Sequence, residues 1–468
     1  MRIRLLQAFR PRSPGRRAAV GSTRRLGVVA VAAGLTASAC AGAGSLTGGG
    51  ANAITIAIVS NSQMQDAISL SGQFEKANPG IKLHFVSLPE NEARAKITAS
   101  VATGGGEFDA VMVSNYETQM WARYGWLTDL QPYIDAHPSY DAKDFIPTLR
   151  SALSLNGHMY SVPFYGESSF LMYNKKMFAA AGITMDPNPT WDQVTQYAAK
   201  LNDPAHKRYG ICLRGDPGWG EVLAPLDTVI NAYGGRWFDK DWNAQLTSPQ
   251  VERAVGMYVD LVRKYGEPGA ASSGFQECAN LMAQGQTAMW YDATSAVSVL
   301  EDPATSAVHG DIGYVPAPRA VKANNGWLYT WSLGIPAKSS HKDAAWKFVS
   351  WMTSKEYIAS VGKTLGPSHI PPGSRESTYQ IPAYAAAAQA YAGPTLTAMQ
   401  NANQLAPTVD PVPYTGIQFL AIPEFQDLGT LVSQQISAAV AGQISSQQAL
   451  AQAQQYAENV GKSYQKGA

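Results

Sequence analysis

The stretch YSVPFYGESSFLMYNK, residues 160–175, decides how the chain is read. Residues 159–162 are short and β-prone, residues 170–173 form a second aromatic and aliphatic run, and Pro163 and Gly166 break the chain between them. That is the pattern of a crossing between two bodies. Tyr165, Glu167 and Ser168 lie in the break, and a carboxylate beside hydroxyls on a loop suits a polar ligand better than a core. The same residues also suit an ordinary surface crossover. Residues 175–181 then read as a short helix closed by Gly182.

Upstream of the crossing, strand and helix patterns alternate. Residues 54–59 are β-prone, Ala67, Leu70, Phe74 and Ala77 recur at helical spacing, and Asn78, Pro79 and Gly80 stop that helix. Ile81, Leu83 and Phe85 alternate as a strand does, Ala93, Ile97 and Val101 resume helical spacing, and residues 108–113 form the next strand. Such alternation predicts an α/β layer with a mainly parallel sheet, whose ligands sit at the carboxyl ends of the strands. Two loops at those ends are polar, residues 60–63 with Asn61 and Gln63, and residues 114–117 with Asn115 and Glu117. Each composition is also that of a helix cap.

A second α/β unit follows. Thr190 and Gln193 make a capping box, residues 209–213 a strand, and Val251, Val255, Tyr258 and Val262 line a helix begun by Ser248 and Pro249. Residues 288–291 form a strand that runs into Asp292, and residues 311–315 lead to Pro316 and Pro318, a second crossing. Residues 328–335 are β-like again, residues 344–352 helical, and residues 384–464 mostly helical by their Ala and Gln content.

Residues 1–39 hold eight arginines and no acid, followed by a short apolar run and the small residues Ala37, Ser38 and Ala39 before Cys40, which is the pattern of an export signal. The 36 Lys and Arg of the chain, less those eight, leave 28 against 35 acidic residues, a formal charge of −7 without the leader. Cys40 resembles the acceptor cysteine of a bacterial lipoprotein, although Ala37 departs from the larger aliphatic residue usual there. The Gly- and Ala-rich residues 40–53 would then be a flexible tether from lipid to fold, with simple secretion as the alternative. With Cys40 lipidated, Cys212 and Cys278 are the pair left in an oxidising compartment, to form a disulfide or remain buried thiols.

The scattered histidines and the absence of C-x-x-C, H-E-x-x-H, G-x-S-x-G, P-loop and dinucleotide motifs give no support to a metal site, a triad hydrolase or a nucleotide cofactor. Without its leader the chain is acidic and lacks the basic stripe that nucleic acid needs. Aromatic residues recur beside acids, amides or glycines at Trp219, Gly220 and Glu221, at Trp290, Tyr291 and Asp292, at residues 327–331, and at Tyr414. Aromatic faces stack on C–H surfaces while carboxylates and amides bond hydroxyls, the chemistry a polyhydroxylated ligand needs.

FEKANPGI (residues 74–81), FDAV (108–111), YNK (173–175), GQTAM (285–289) and AAWKFV (344–349) together resemble the solute-binding lipoproteins of carbohydrate ABC importers, the family of the maltose-binding protein. GICLRG (210–215), MWYDAT (289–294) and IPPGSR (370–375) are more similar to its sorbitol and mannitol branch. The resemblance implies two α/β lobes closing on one ligand in the periplasmic-binding-protein fold, residues 54–163 with 314–352 and residues 164–313 with 353–468. It implies a monomer, not an enzyme, held on the outer face of the membrane and handing a polyol or small sugar to the permease. The ligand set carried over is Asn61, Gln63, Asn115, Glu117, Tyr165, Glu167, Asp292, Trp327 and Arg375, with Trp219, Glu221, Tyr329, Trp331 and His369 as weaker members. A di- or oligosaccharide ligand, a glycosidase using Glu167 and Asp292, and a structural lipoprotein are the alternatives.

Overall fold

The computed structural model describes residues 53–466. The leader, Cys40 and all but the last residue of the tether lie outside them. In chain order the strands are β1 (Ala53–Val59), β2 (Lys82–Leu88), β3 (Ala110–Ser114), β4 (Ser154–Leu155), β5 (His158–Met159), β6 (Ser161–Glu167), β7 (Ser169–Asn174), β8 (Met289–Ala293), β9 (Ile312–Pro316) and β10 (Tyr329–Gly334). They make a sheet of order β2-β1-β3-β10-β6, a second of order β8-β7-β9, and the small hairpin β4-β5.

The periodicity explains the first sheet. Ile54, Ile56 and Ile58 are buried on β1, and helix α1 (Ser62–Ala77) buries Met64, Ala67, Leu70 and Phe74. Helix α2 (Glu90–Thr103) buries Ala93, Ile97 and Val101 and ends where Gly104 takes a left-handed conformation (φ 66°) that glycine adopts without a Cβ penalty. Helix α3 (Asn115–Arg123) starts at a capping box between Ser114 and Glu117.

Only part of this sheet is parallel. β1 pairs parallel with β2 and β3, but β10 enters from far along the chain and runs antiparallel to both β3 and β6. In the second sheet β7 is antiparallel to β8 and β9, and parallel pairing there is confined to isolated bridges such as Cys212 with Trp290. The expected mainly parallel sheets are therefore not found: the first is mixed because β10 enters it antiparallel, and the ladder of the second is antiparallel on both sides of β7.

The expected lobe boundaries shift with the pairing. The first sheet keeps the chain through Glu167, past the expected limit at residue 163, and residues 314–316 stay with β9 in the second sheet. Residues 353–375 pack on the first sheet's side, where the Gly166 N–H donates to the Pro372 carbonyl and Lys355 pairs with Asp141. The last helices, Phe425–Val440 and Ser446–Gln465, pack on each other and on the helix Pro249–Tyr265 beside the second sheet. Cys212 and Cys278 are joined in a disulfide with their Cα atoms 5.6 Å apart.

Candidate functional site

A cavity of about 470 Å³ opens where the carboxyl ends of β1 and β2 face the loops of the second sheet. Its first wall is built from helix starts. The Asn61 side-chain Oδ1 accepts from the Met64 N–H, which begins α1, while its Nδ2 donates to the Tyr165 hydroxyl at 3.0 Å. Gln63 reaches across the cavity and donates to the Ser295 carbonyl (3.2 Å) and the Ser298 hydroxyl (3.0 Å). The first two turns of α2 add Glu90, Asn91 and Arg94.

Two buried guanidinium groups organise the polar part. Arg94 donates to Glu90 (2.8 Å) and to the Tyr329 hydroxyl (2.6 Å), and its Nη1 lies 3.6 Å from Glu117 without a hydrogen-bond partner. Its Cζ stands over the rings of Trp219 (4.3 Å) and Trp331 (4.4 Å). Arg214, on the opposite wall, grips both oxygens of Asp292 (2.6 and 2.8 Å) and contacts Glu221 at 3.3 Å. Glu167, at the end of β6, accepts from the Ser295 hydroxyl at 2.5 Å. Burial pushes its carboxyl up to about 8, against the lowering effect of that hydrogen bond. Glu221 is also pushed up to about 8, by burial first and then by Glu90. Both hold protons at neutral pH and can donate to an oxygen.

Of the residues expected from the sequence, Asn61, Gln63, Tyr165, Glu167, Trp327 and Tyr329 line this cavity, together with Glu221 and Trp331. Glu117, Trp219 and Asp292 stand behind it. Glu117 braces Arg94 and takes a bond from Gln426, Trp219 lies under Arg94, and Asp292 has its oxygens committed to Arg214, Trp290 Nε1 and the Ala293 N–H. With Asp292 so neutralised, the carboxylate pair of the glycosidase alternative is not free to act. Asn115 instead accepts from the Thr330 N–H at 3.0 Å and lies beside a separate small cavity. His369 pairs with Asp66 at 2.9 Å and does not reach the cavity.

Arg375 is the clearest correction. It is fully buried, donates to the carbonyls of Thr353, Asp141 and Tyr140, pairs with Asp144, and stacks on Phe145 at 4.0 Å. It ties two loops together with four of its five N–H donors and does not line the cavity. Sequence reasoning missed Arg94, Arg214, Glu90, Asp216 and Gln418. An arginine four residues after a glutamate on a helix was the available signal for Arg94. None marked Gln418, which arrives on the irregular chain near Gly416.

Comparison with known proteins places this geometry. The profile of the bacterial extracellular solute-binding protein family matches residues 55–359. A mannitol-binding protein of Pseudomonas aeruginosa is 44% identical over 407 residues, 87% of this chain and 92% of its own. A solute-binding protein of Agrobacterium vitis, solved with bound D-mannitol, superposes with a TM-score of 0.86 at 43% identity, covering 88% of this chain and 99% of that one. A maltose-bound protein of T. maritima, at 20% identity and a TM-score of 0.74 over 88% of this chain and all of that one, shares the two-lobe α/β fold. The chain thus belongs to the bacterial extracellular solute-binding protein family, the receptors of ABC importers rather than enzymes.

Proposed function

We propose that this receptor captures a neutral linear polyol of the mannitol class between two lobes, one built on each sheet, and presents it to an ABC permease. The observation that carries the reading is the charge balance of the cavity. Glu90, Asp216 and Glu277 line it against Arg94 and Arg214, whose charges are already met by Asp292 and Glu117 behind the wall, and the protonated Glu167 and Glu221 add no cation, so an anionic sugar would find no free positive charge. Each guanidinium is already paired, while Arg94 Nη1 and Trp327 Nε1 are buried donors without partners. Unpartnered buried donors cost about 1–3 kcal/mol each, and ligand hydroxyl oxygens repay that cost. The mannitol bound by the Agrobacterium vitis protein and named for the Pseudomonas aeruginosa one supports the class.

Calorimetry against mannitol, sorbitol, arabitol, glucose and maltose tests it, with hydrolysis products assayed alongside. Binding of a hexitol near 1 μM, about −8 kcal/mol, is expected without turnover. Binding of disaccharides alone would overturn the polyol reading.

The export signal supports anchoring at Cys40 on the outer membrane face, where a diacyl group tethers the receptor near its permease. Cys40→Ala should move the protein from the detergent phase to the aqueous phase on partitioning. Retention in the detergent phase would reject the anchor.

A further inference from the structure

The cavity wall contains the indole face that a sugar ring would use, and that face is already covered. Arg94 Cζ lies 4.4 Å from the centre of the Trp331 ring and 4.3 Å from that of Trp219. Arg214 stands over Phe275 in the same way at 5.3 Å. A planar guanidinium on an aromatic face is held by the ring quadrupole, more strongly when both are out of water. Here the side chain of Arg94 is only 5% exposed, and Glu90, the Tyr329 hydroxyl and Glu117 fix its plane. A pyranose stacks its flat C–H face on an exposed ring, whereas an open chain of hydroxyls has no such face and is read through hydrogen bonds.

We propose that Arg94 is a specificity-determining residue that excludes pyranosides. Its guanidinium, backed by Trp219, occupies the stacking platform of Trp331 and offers in its place the unpartnered Nη1–H to a polyol oxygen. Selectivity then comes from a covered platform as well as from added contacts, a penalty laid against the wrong ligand. The inference rests on the polyol reading above.

The test is the ratio of mannitol affinity to methyl glucoside affinity in three proteins, with unliganded melting temperature as the folding control. Arg94→Lys keeps the charge beside Glu90 and Glu117 but removes the plate. Arg94→Gln with Glu117→Gln removes both without leaving the Glu117 carboxylate unpaired. Each variant should weaken mannitol binding at least tenfold while methyl glucoside binding is kept or gained, so the ratio falls by at least tenfold. Adding Trp331→Leu to the second variant should abolish the glucoside binding gained. If Arg94→Lys, which preserves the ion pairs, leaves the ratio as in the parent, the inference is overturned while the polyol reading stands. A parent that binds methyl glucoside as tightly as mannitol overturns both.

Discussion

Arg214 and Arg375 are both buried and both paired with an aspartate, yet they do different work. Arg214 faces the cavity, and Asp292 fixes its plane through two hydrogen bonds. Arg375 is spent on three carbonyls and Asp144, away from any ligand. Asp292→Ala should weaken polyol binding about tenfold to a hundredfold by freeing the Arg214 fork, consistent with the cost of breaking a charged hydrogen-bonded pair. Arg375→Ala should lower folding stability by roughly 3–5 kcal/mol, because Asp144 loses its buried partner, and leave the polyol dissociation constant of the folded protein unchanged. Calorimetry and denaturant melts on the two variants check the split, and a weakened dissociation constant for Arg375→Ala would restore it to the site. The sequence sets Arg375 just after Pro371, Pro372 and Gly373 and Arg214 just after a β-prone run, but does not say what each would meet. Which partner satisfies a buried guanidinium is set by residues 78 or 231 positions away, and no local pattern carries that information.

At the scale of elements, the two walls meet where the start of α2 approaches the chain around Gly220. A Cβ at Gly220 would lie 2.8 Å from both Arg94 Nε and Glu90 Oε1. These atoms are locked in the Arg94 network, so they cannot yield cheaply. Gly220→Ala should therefore disfavour the closed arrangement and weaken polyol binding at least tenfold while the unliganded melting temperature changes little. Fluorescence titration with a parallel melt reads both, and unchanged affinity would show that this seam does not govern closure. The elements themselves were largely legible. α1, α2 and their strands follow apolar spacing, and the caps at Asn61 and Ser114 hold the polar loops expected at the strand ends. The direction of β10 was not legible, because alternation of apolar residues reads the same from either end.

For the whole molecule, the protonated carboxyls of the cavity link binding architecture to pH. Glu167 rises from 4.5 to about 8 on folding, chiefly through burial, so between those values the native state holds a proton that the unfolded chain has released. Stability should thus be greatest near the lower value and fall as pH rises through the window, by roughly 1.4 kcal/mol per unit for one such proton at most. Glu221 and His369, whose pKa values are also raised, act with the same sign. Asp144 and Asp302 are lowered, and their contribution changes only in more acid solution. Urea melts at pH 5, 6.5 and 8 should show the decline, and Glu167→Gln should make it shallower while Glu221 and His369 still contribute. A parent whose stability climbs over that range would reject the protonated carboxyl.

The position of β10 has a consequence for how the chain is made. The strand that joins β3 to β6 is residues 329–334, more than 200 positions after β3, so the first sheet stays open until most of the chain exists. Contacts of such separation form late and slowly, because the intervening chain must be closed into a loop before they contribute. A growing or partly threaded chain therefore lacks the strand that completes its first lobe. That delay leaves the first sheet unfinished, with β3 and β6 lacking the strand between them, for most of the time the chain takes to be made.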